Sequence, residues 1–113
     1  RNGENVYPQE IEALINKLPY VKESLVYQRG QSKTDTMLCA KIVYDADSIK
    51  DAFGEKSEDE YKEEIWKQVK EINKDLPLFK HIKKIEITTE ELEKTTTQKV
   101  KRYKELQKVA NRD

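Results

Sequence analysis

The sequence predicts an α+β domain: a small three-stranded, largely antiparallel sheet packed with three main helices. Three observations carry this. Apolar residues recur at helical spacing in three separated stretches, short runs rich in Leu, Val, Ile and Tyr lie between them, and the order is helix, two strands, helix, strand, helix. At 113 residues the chain can build one core, burying about two-thirds of its unfolded surface, but not a large cavity walled on all sides. Any chemistry it serves is expected at an edge.

Ile11, Leu14, Ile15 and Leu18 share one face of a first helix predicted over residues 8–18, which opens at Pro8, carries Gln9, Glu10 and Glu12 in its first turns and ends at Pro19. Residues 23–28 and 36–44 read as two antiparallel strands joined by a polar loop, Arg29-Gly30-Gln31-Ser32-Lys33. Residues 45–54 are acidic, with a short helix expected over 48–53. Ser57 and Glu60 then form a capping-box pattern that opens a second long helix. Tyr61, Ile65, Val69, Ile72 and Leu76 mark its buried stripe to about Pro77, with Trp66 at the stripe's edge as a packing residue. Ile82, Ile85 and Ile87 lead through a third predicted strand, residues 83–88. Val100, Tyr103, Leu106, Gln107 and Ala110 define a last helix behind a threonine cluster.

Composition narrows the function classes. Charged residues make up 39% of the chain, against about 25% in an ordinary globular domain. Leu, Ile, Val and Phe number 26 of 113, above the ~20% below which chains stay disordered, and net charge is absent. The 22 bases and 22 acids cancel, which argues against a free-standing nucleic-acid binder. The cancellation hides a gradient: residues 45–64 hold nine acids and three bases, residues 94–113 seven bases and two acids. Solvated helix faces account for both, with phosphate contact by the basic end as the alternative.

Cys39 stands alone, so neither a disulfide framework nor a zinc spacing is present, and a reducing, cytoplasmic setting fits. No window approaches the ~20 apolar residues of a membrane span, and no signal peptide is expected ahead of the first helix. Because the chain opens on Arg1-Asn2-Gly3 and enters a motif at once, it is expected to be a piece of a longer polypeptide.

The chemistry-bearing residues are few. His81 has no cysteine or carboxylate cluster at ligand spacing and reads as a partly exposed structural histidine. Gly3, Gly30 and Gly54 form neither a dinucleotide fingerprint nor a P-loop. What remains is Thr95-Thr96-Thr97-Gln98-Lys99-Val100-Lys101-Arg102, three hydroxyls and a lysine at the mouth of a helix whose first turn presents unpaired N–H groups. A lysine there could stabilise negative charge developing on a phosphate or acyl phosphate. Spacing alone favours Thr97 as a helix cap and Lys99 as a solvated lysine.

Two stretches together resemble a known family. Gly3-Glu4-Asn5-Val6-Tyr7-Pro8-Gln9-Glu10-Ile11-Glu12 resembles the eighth core motif of the adenylate-forming superfamily: acyl-CoA synthetases, luciferases and peptide-synthetase adenylation domains. Lys94-Thr95-Thr96-Thr97-Gln98-Lys99 resembles the tenth core motif, P-K-T-x-[ST]-G-K, and Leu76-Pro77-Leu78-Phe79-Lys80 the family's L-P-x-[YF]-K. Order and separation match that family's C-terminal domain over essentially the whole chain. The tenth motif's proline and glycine are Glu93 and Gln98 here, and the T-x-T-x-K-x-K-R form is similar to that of long-chain fatty-acid CoA ligases.

The resemblance implies a two-step reaction: a carboxylate attacks the ATP α-phosphorus to give an acyl-adenylate and pyrophosphate, then the CoA thiol displaces AMP. It implies that Lys99 serves the first step as the catalytic lysine. Gly3 belongs, on the same ground, to the loop that lines the CoA channel after the small domain rotates, where a missing side chain permits close approach. ATP and CoA are the implied substrates. The hinge, the acyl and adenine pockets and the Mg²⁺ ligands are expected on an N-terminal domain outside this chain, the first expected partner, and residues 1–113 alone are expected to be inactive. Other expectations are no nucleic acid as partner and association of the full-length enzyme with membrane surfaces through a fatty-acid substrate. Two alternatives stay open: another adenylate-forming branch (aryl-acid or carrier-protein loading), and a non-catalytic module whose basic last helix binds nucleic acid.

Overall fold

The strand with no solvent side organises the fold. The computed structural model describes residues 6–30, 36–94, 101, 102 and 104–107. In β2 (Thr36–Tyr44) every residue from Leu38 to Tyr44 is buried, and β2 lies between β1 (Val21–Gly30) and β3 (Ile82–Thr88). β1 runs antiparallel to β2, from Val21 opposite Tyr44 to Gly30 opposite Thr36, with a bulge between Val21 and Glu23. β3 pairs with β2 in parallel, from Leu38 opposite Ile82 to Val43 opposite Thr88. The antiparallel expectation thus describes β1 with β2, and the whole sheet is mixed. Parallel neighbours need a long crossover. Here it contains α2 (Ala46–Phe53), α3 (Glu58–Lys74) and a 3₁₀ turn, Leu78–Lys80.

Strand periodicity sends alternate side chains to opposite faces. Val26, Leu38, Ala40, Ile42, Tyr44 and Ile85 join Ile11 and Ile15 of α1 (Pro8–Ile15), Ile49 of α2, and Tyr61, Ile65 and Val69 of α3 in the main core. Leu25, Tyr27, Cys39 and Val43 form a second cluster with Leu92 on the other face. Trp66 packs against the main core from its margin. His81 is half-buried, its Nε2 2.7 Å from the Leu76 carbonyl oxygen.

Local signals set most element ends. The capping box forms: Glu60 N donates to Ser57 Oγ (3.2 Å), and Ser57 N donates to Glu60 Oε1 (2.9 Å). α2 starts two residues before the expected position because Asp45 caps it, its Oδ2 accepting from Ser48 N at 2.8 Å. α1 ends at Ile15 rather than Leu18. Asn16, its C-cap, accepts a 2.8 Å bond from Ser24 Oγ of β1, and the residue before Pro19 is biased away from helix. α3 ends at Lys74, and Asn73 holds the start of β3 by a bond to each backbone group of Ile82, 2.9 and 3.0 Å.

Three buried tyrosines give the fold an alkaline limit. Burial first, and then the carboxylates of Glu64, Glu86 and Glu58, push the phenols of Tyr20, Tyr27 and Tyr44 up to about 12. An unfolded phenol titrates near ~10. Between those values the folded chain keeps protons that the unfolded chain has released, so stability is full below about pH 10 and falls towards about pH 12. Tyr20 Oη is also buried without a hydrogen-bond partner among the described residues. Tyr20→Phe is therefore expected to raise the urea midpoint at neutral pH and to flatten the alkaline decline; an unchanged pH profile would exclude this phenol as a contributor.

Candidate functional site

Both sequence-derived site residues, Gly3 and Lys99, lie outside the described residues. The structure does describe the ground on which each stretch stands, since Glu12 closes the first motif in α1, Lys94 opens the second, and residues 93, 101 and 102 lie beside it. On the entering side, β1 presents Glu23 on the face of the sheet away from α1–α3. Its carboxylate accepts from Leu92 N at 2.9 Å and pairs with Lys94 Nζ at 2.9 Å. Leu92 plugs the second apolar cluster, and Lys94 Nζ also lies 3.5 Å from Glu91 Oε1, so the chain reaches Lys94 anchored by apolar and ionic contacts. The Glu23 hydrogen bond holds the Lys94 ammonium above its ordinary pKa.

On the leaving side, Lys101 N donates to the Glu93 carbonyl oxygen at 2.7 Å, tying together the two ends of the stretch between them. Residues 102 and 104–107 are helical. From that helix Arg102 reaches α1, its Nη2 2.7 Å from Glu12 Oε1 and its Nη1 2.8 Å from Glu12 Oε2, a two-point guanidinium–carboxylate contact. Glu12 is buried and also accepts from Val26 N at 2.7 Å. Glu105, fully buried, accepts from Glu93 N at 2.6 Å and pairs with Lys41 Nζ of β2 at 2.8 Å.

The geometry revises the meaning of the basic chain end. Lys94 and Arg102 are committed to Glu23 and Glu12, so these two cations stabilise the frame. The structure also joins the two resembling stretches, because Glu12 closes the first motif and Arg102 lies three residues beyond Lys99. Sequence reading assigned no role to Glu23, Lys41 or Glu105. Two signals were present: Lys41 interrupts an apolar run, and Glu105 is one of only two acids in residues 94–113.

Among the described residues, no group of three or more His, Cys, Asp or Glu side chains is placed to hold a metal ion. None of their helices is long and apolar enough to cross a membrane. Cys39 is buried and unpaired by disulfide, and burial pushes its thiol pKa up, away from the reactive range.

The fold has known counterparts. The family model described as AMP-binding enzyme C-terminal domain matches residues 1–112, and the chain belongs to that family. No curated protein matches it. Among solved structures, the Mycobacterium tuberculosis fatty acyl CoA synthetase is similar at 26% identity, with a TM-score of 0.64 over 94% of this chain and 18% of its own. The A-PCP didomain of carboxylic acid reductase from Segniliparus rugosus, in complex with AMP, is 19% identical, with a TM-score of 0.73 over 98% of this chain and 16% of its own. The benzoate CoA ligase from Burkholderia xenovorans LB400 is 21% identical, with a TM-score of 0.65 over 89% of this chain and 18% of its own. The last two likenesses show the fold alone. This chain spans less than a fifth of the length of each of the three.

Proposed function

We propose that the chain is the mobile C-terminal domain of an AMP-forming acid–thiol ligase of the long-chain fatty acid–CoA branch. The supporting observation is that the family match spans both motif-like stretches, residues 1–112, and that the second stretch is held at its base by the Lys101–Glu93 backbone bond and by Glu105. The T-x-T-x-K-x-K-R form of that stretch and the likeness to a fatty acyl CoA synthetase support the fatty-acyl branch.

In the first step a carboxylate oxygen of the acid bonds to the α-phosphorus of ATP and pyrophosphate leaves. Lys99 supplies a point charge beside the α-phosphate, where negative charge grows on the way to the transition state. In the second step the CoA sulfur bonds to the acyl carbon and AMP leaves. The domain turns between the two, bringing the Gly3 stretch to the CoA channel. Mg²⁺ would neutralise the pyrophosphate oxygens from ligands on the remainder of the polypeptide. The second reading, an aryl-acid or carrier-protein-loading ligase, keeps the same role for Lys99 and changes the acid. Nucleic-acid binding is disfavoured, because Lys94 and Arg102 are already neutralised within the fold.

The test uses the complete polypeptide that carries this domain, assayed for acid-dependent exchange of pyrophosphate into ATP. The acids are saturated fatty acids of graded length, benzoate and amino acids. Exchange driven by long-chain acids, with CoA thioester as the final product, is the expected result. Exchange driven only by aryl or amino acids would move the protein to the second reading, and no acid-driven exchange would remove the function.

A further inference from the structure

β2 carries a lysine in its buried middle, and the fold answers it with a carboxylate 64 residues away in sequence. Both groups are withdrawn from water: the Lys41 side chain is 9% exposed and that of Glu105 0%. A packed apolar pair at such a place is commonly as stable as a buried ion pair or more so, so stability alone does not explain the choice. The hydrogen bonds supply another reason. Glu105 divides its two oxygens between two elements, Oε1 to Lys41 Nζ of the central strand and Oε2 to Glu93 N on the entering side of the 95–100 stretch. Its own backbone N donates to the Lys101 carbonyl oxygen at 3.2 Å, and Lys101 N donates to the Glu93 carbonyl oxygen at 2.7 Å. The contacts close a ring, Glu93 to Glu105 to Lys101 and back to Glu93, fixed to the sheet at one point by Lys41. An apolar pair could fill the space without making that ring.

We propose that Glu105, held in place by Lys41, is a positioning residue for the adenylation step. It fixes the separation and orientation of the two chain ends between which Lys99 is carried. This inference rests on the proposed function, because it needs a lysine in that stretch to act on a phosphate. It goes beyond that function in assigning the fixed point of the lysine to a buried pair that touches neither substrate. Glu105 is suited to the task because the Lys41 ammonium and the Glu93 backbone N–H are both donors, and a carboxylate offers each its own oxygen. A glutamine has one acceptor oxygen for two donors, and its amide would set N–H against N–H at the other contact.

Misplacement of a catalytic group by about 1 Å costs up to roughly 10²-fold in rate. Three variants of the complete enzyme test the inference: Glu105→Gln, the apolar pair Lys41→Met with Glu105→Leu, and Lys41→Arg. Each is measured for acid-dependent pyrophosphate exchange, for thioester formation from preformed acyl-adenylate and CoA, and for its urea midpoint. Glu105→Gln and the apolar pair are expected to lower the kcat of exchange by roughly 10-fold or more, with the KM for the acid nearly unchanged and thioester formation within about 2-fold of the parent. Lys41→Arg, which keeps the charge and the donor, is expected to retain exchange. The apolar pair guards against a trivial loss of folding, since it leaves no buried charge behind. Equal losses in both half-reactions, or losses that follow the urea midpoint across the three variants, would overturn the positioning role. So would full exchange in Glu105→Gln alongside loss of exchange in Lys99→Ala. If Lys99→Ala itself exchanges normally, the proposed function fails first and separately.

Discussion

Lys99→Ala in the complete enzyme is expected to slow acid-dependent pyrophosphate exchange by about 10²–10³-fold, the effect of removing one preorganised group at developing transition-state charge. Thioester formation from preformed acyl-adenylate should stay within a few-fold of the parent. The split follows from where the charge develops. During adenylation the phosphorus acquires a fifth oxygen neighbour while pyrophosphate departs, and an ammonium there gains strength between ground and transition states. On the proposed function the reacting centre of the second step is the acyl carbon, and the domain then presents its other motif. Lys99→Arg is expected to recover part of the rate, since it restores charge but replaces a compact ammonium with a planar fork. Lys104→Ala, on the exposed face of the terminal helix, controls for the loss of one positive charge nearby and should exchange like the parent. Equal slowing by Lys104→Ala and Lys99→Ala would mean that the segment acts through its summed charge, and would remove the specific role of Lys99.

Legibility in the sequence followed the range of the cause. The capping box at Ser57 and Glu60 and the stripe Tyr61–Ile65–Val69 act within a turn or two, and they appear where the pattern put them. The bounds of β2 match the expected strand residue for residue, because polar residues enclose an apolar run. The end of α1 coincides with a bond from Ser24 of the next strand to Asn16. A helical stripe cannot report that bond. The parallel direction of β3 depends on a crossover of two helices, a topological fact that period-2 alternation leaves open. Charge was the least legible quantity. Solvated faces describe the acidic middle, where Asp47, Asp51, Glu55 and Glu63 are exposed. The same default applied to the basic end misses Lys94 and Arg102, whose carboxylate partners lie 71 and 90 residues away. The motif-like stretches named where chemistry is expected, and the long-range ion pairs show how the base of one of them is held.

Arg102→Ala is expected to destabilise the chain by about 2–3 kcal/mol, more than any surface ion pair would. The Arg102 side chain is 34% exposed and that of Glu12 10%, so the loss falls below the ~3–5 kcal/mol of breaking a fully buried pair. What makes it large is the group left behind. Without the guanidinium, Glu12 keeps its bond from Val26 N but faces the α1–β1 seam as a carboxylate short of a counter-charge. Glu12→Gln separates the two contributions, because the amide oxygen still accepts from Val26 N while the charge is gone. That variant should lose about 1 kcal/mol, the worth of a weakened hydrogen-bond set. Adding Arg102→Ala to it should cost less than about 1 kcal/mol more, since no buried charge is then uncovered. Urea unfolding of the four chains measures the cycle directly. A coupling near zero would make Arg102 a surface residue that happens to lie close to Glu12. A coupling above about 1 kcal/mol would show that the residue closing the first motif and the residue following the second are energetically one joint, so that a change at either stretch is felt at the other.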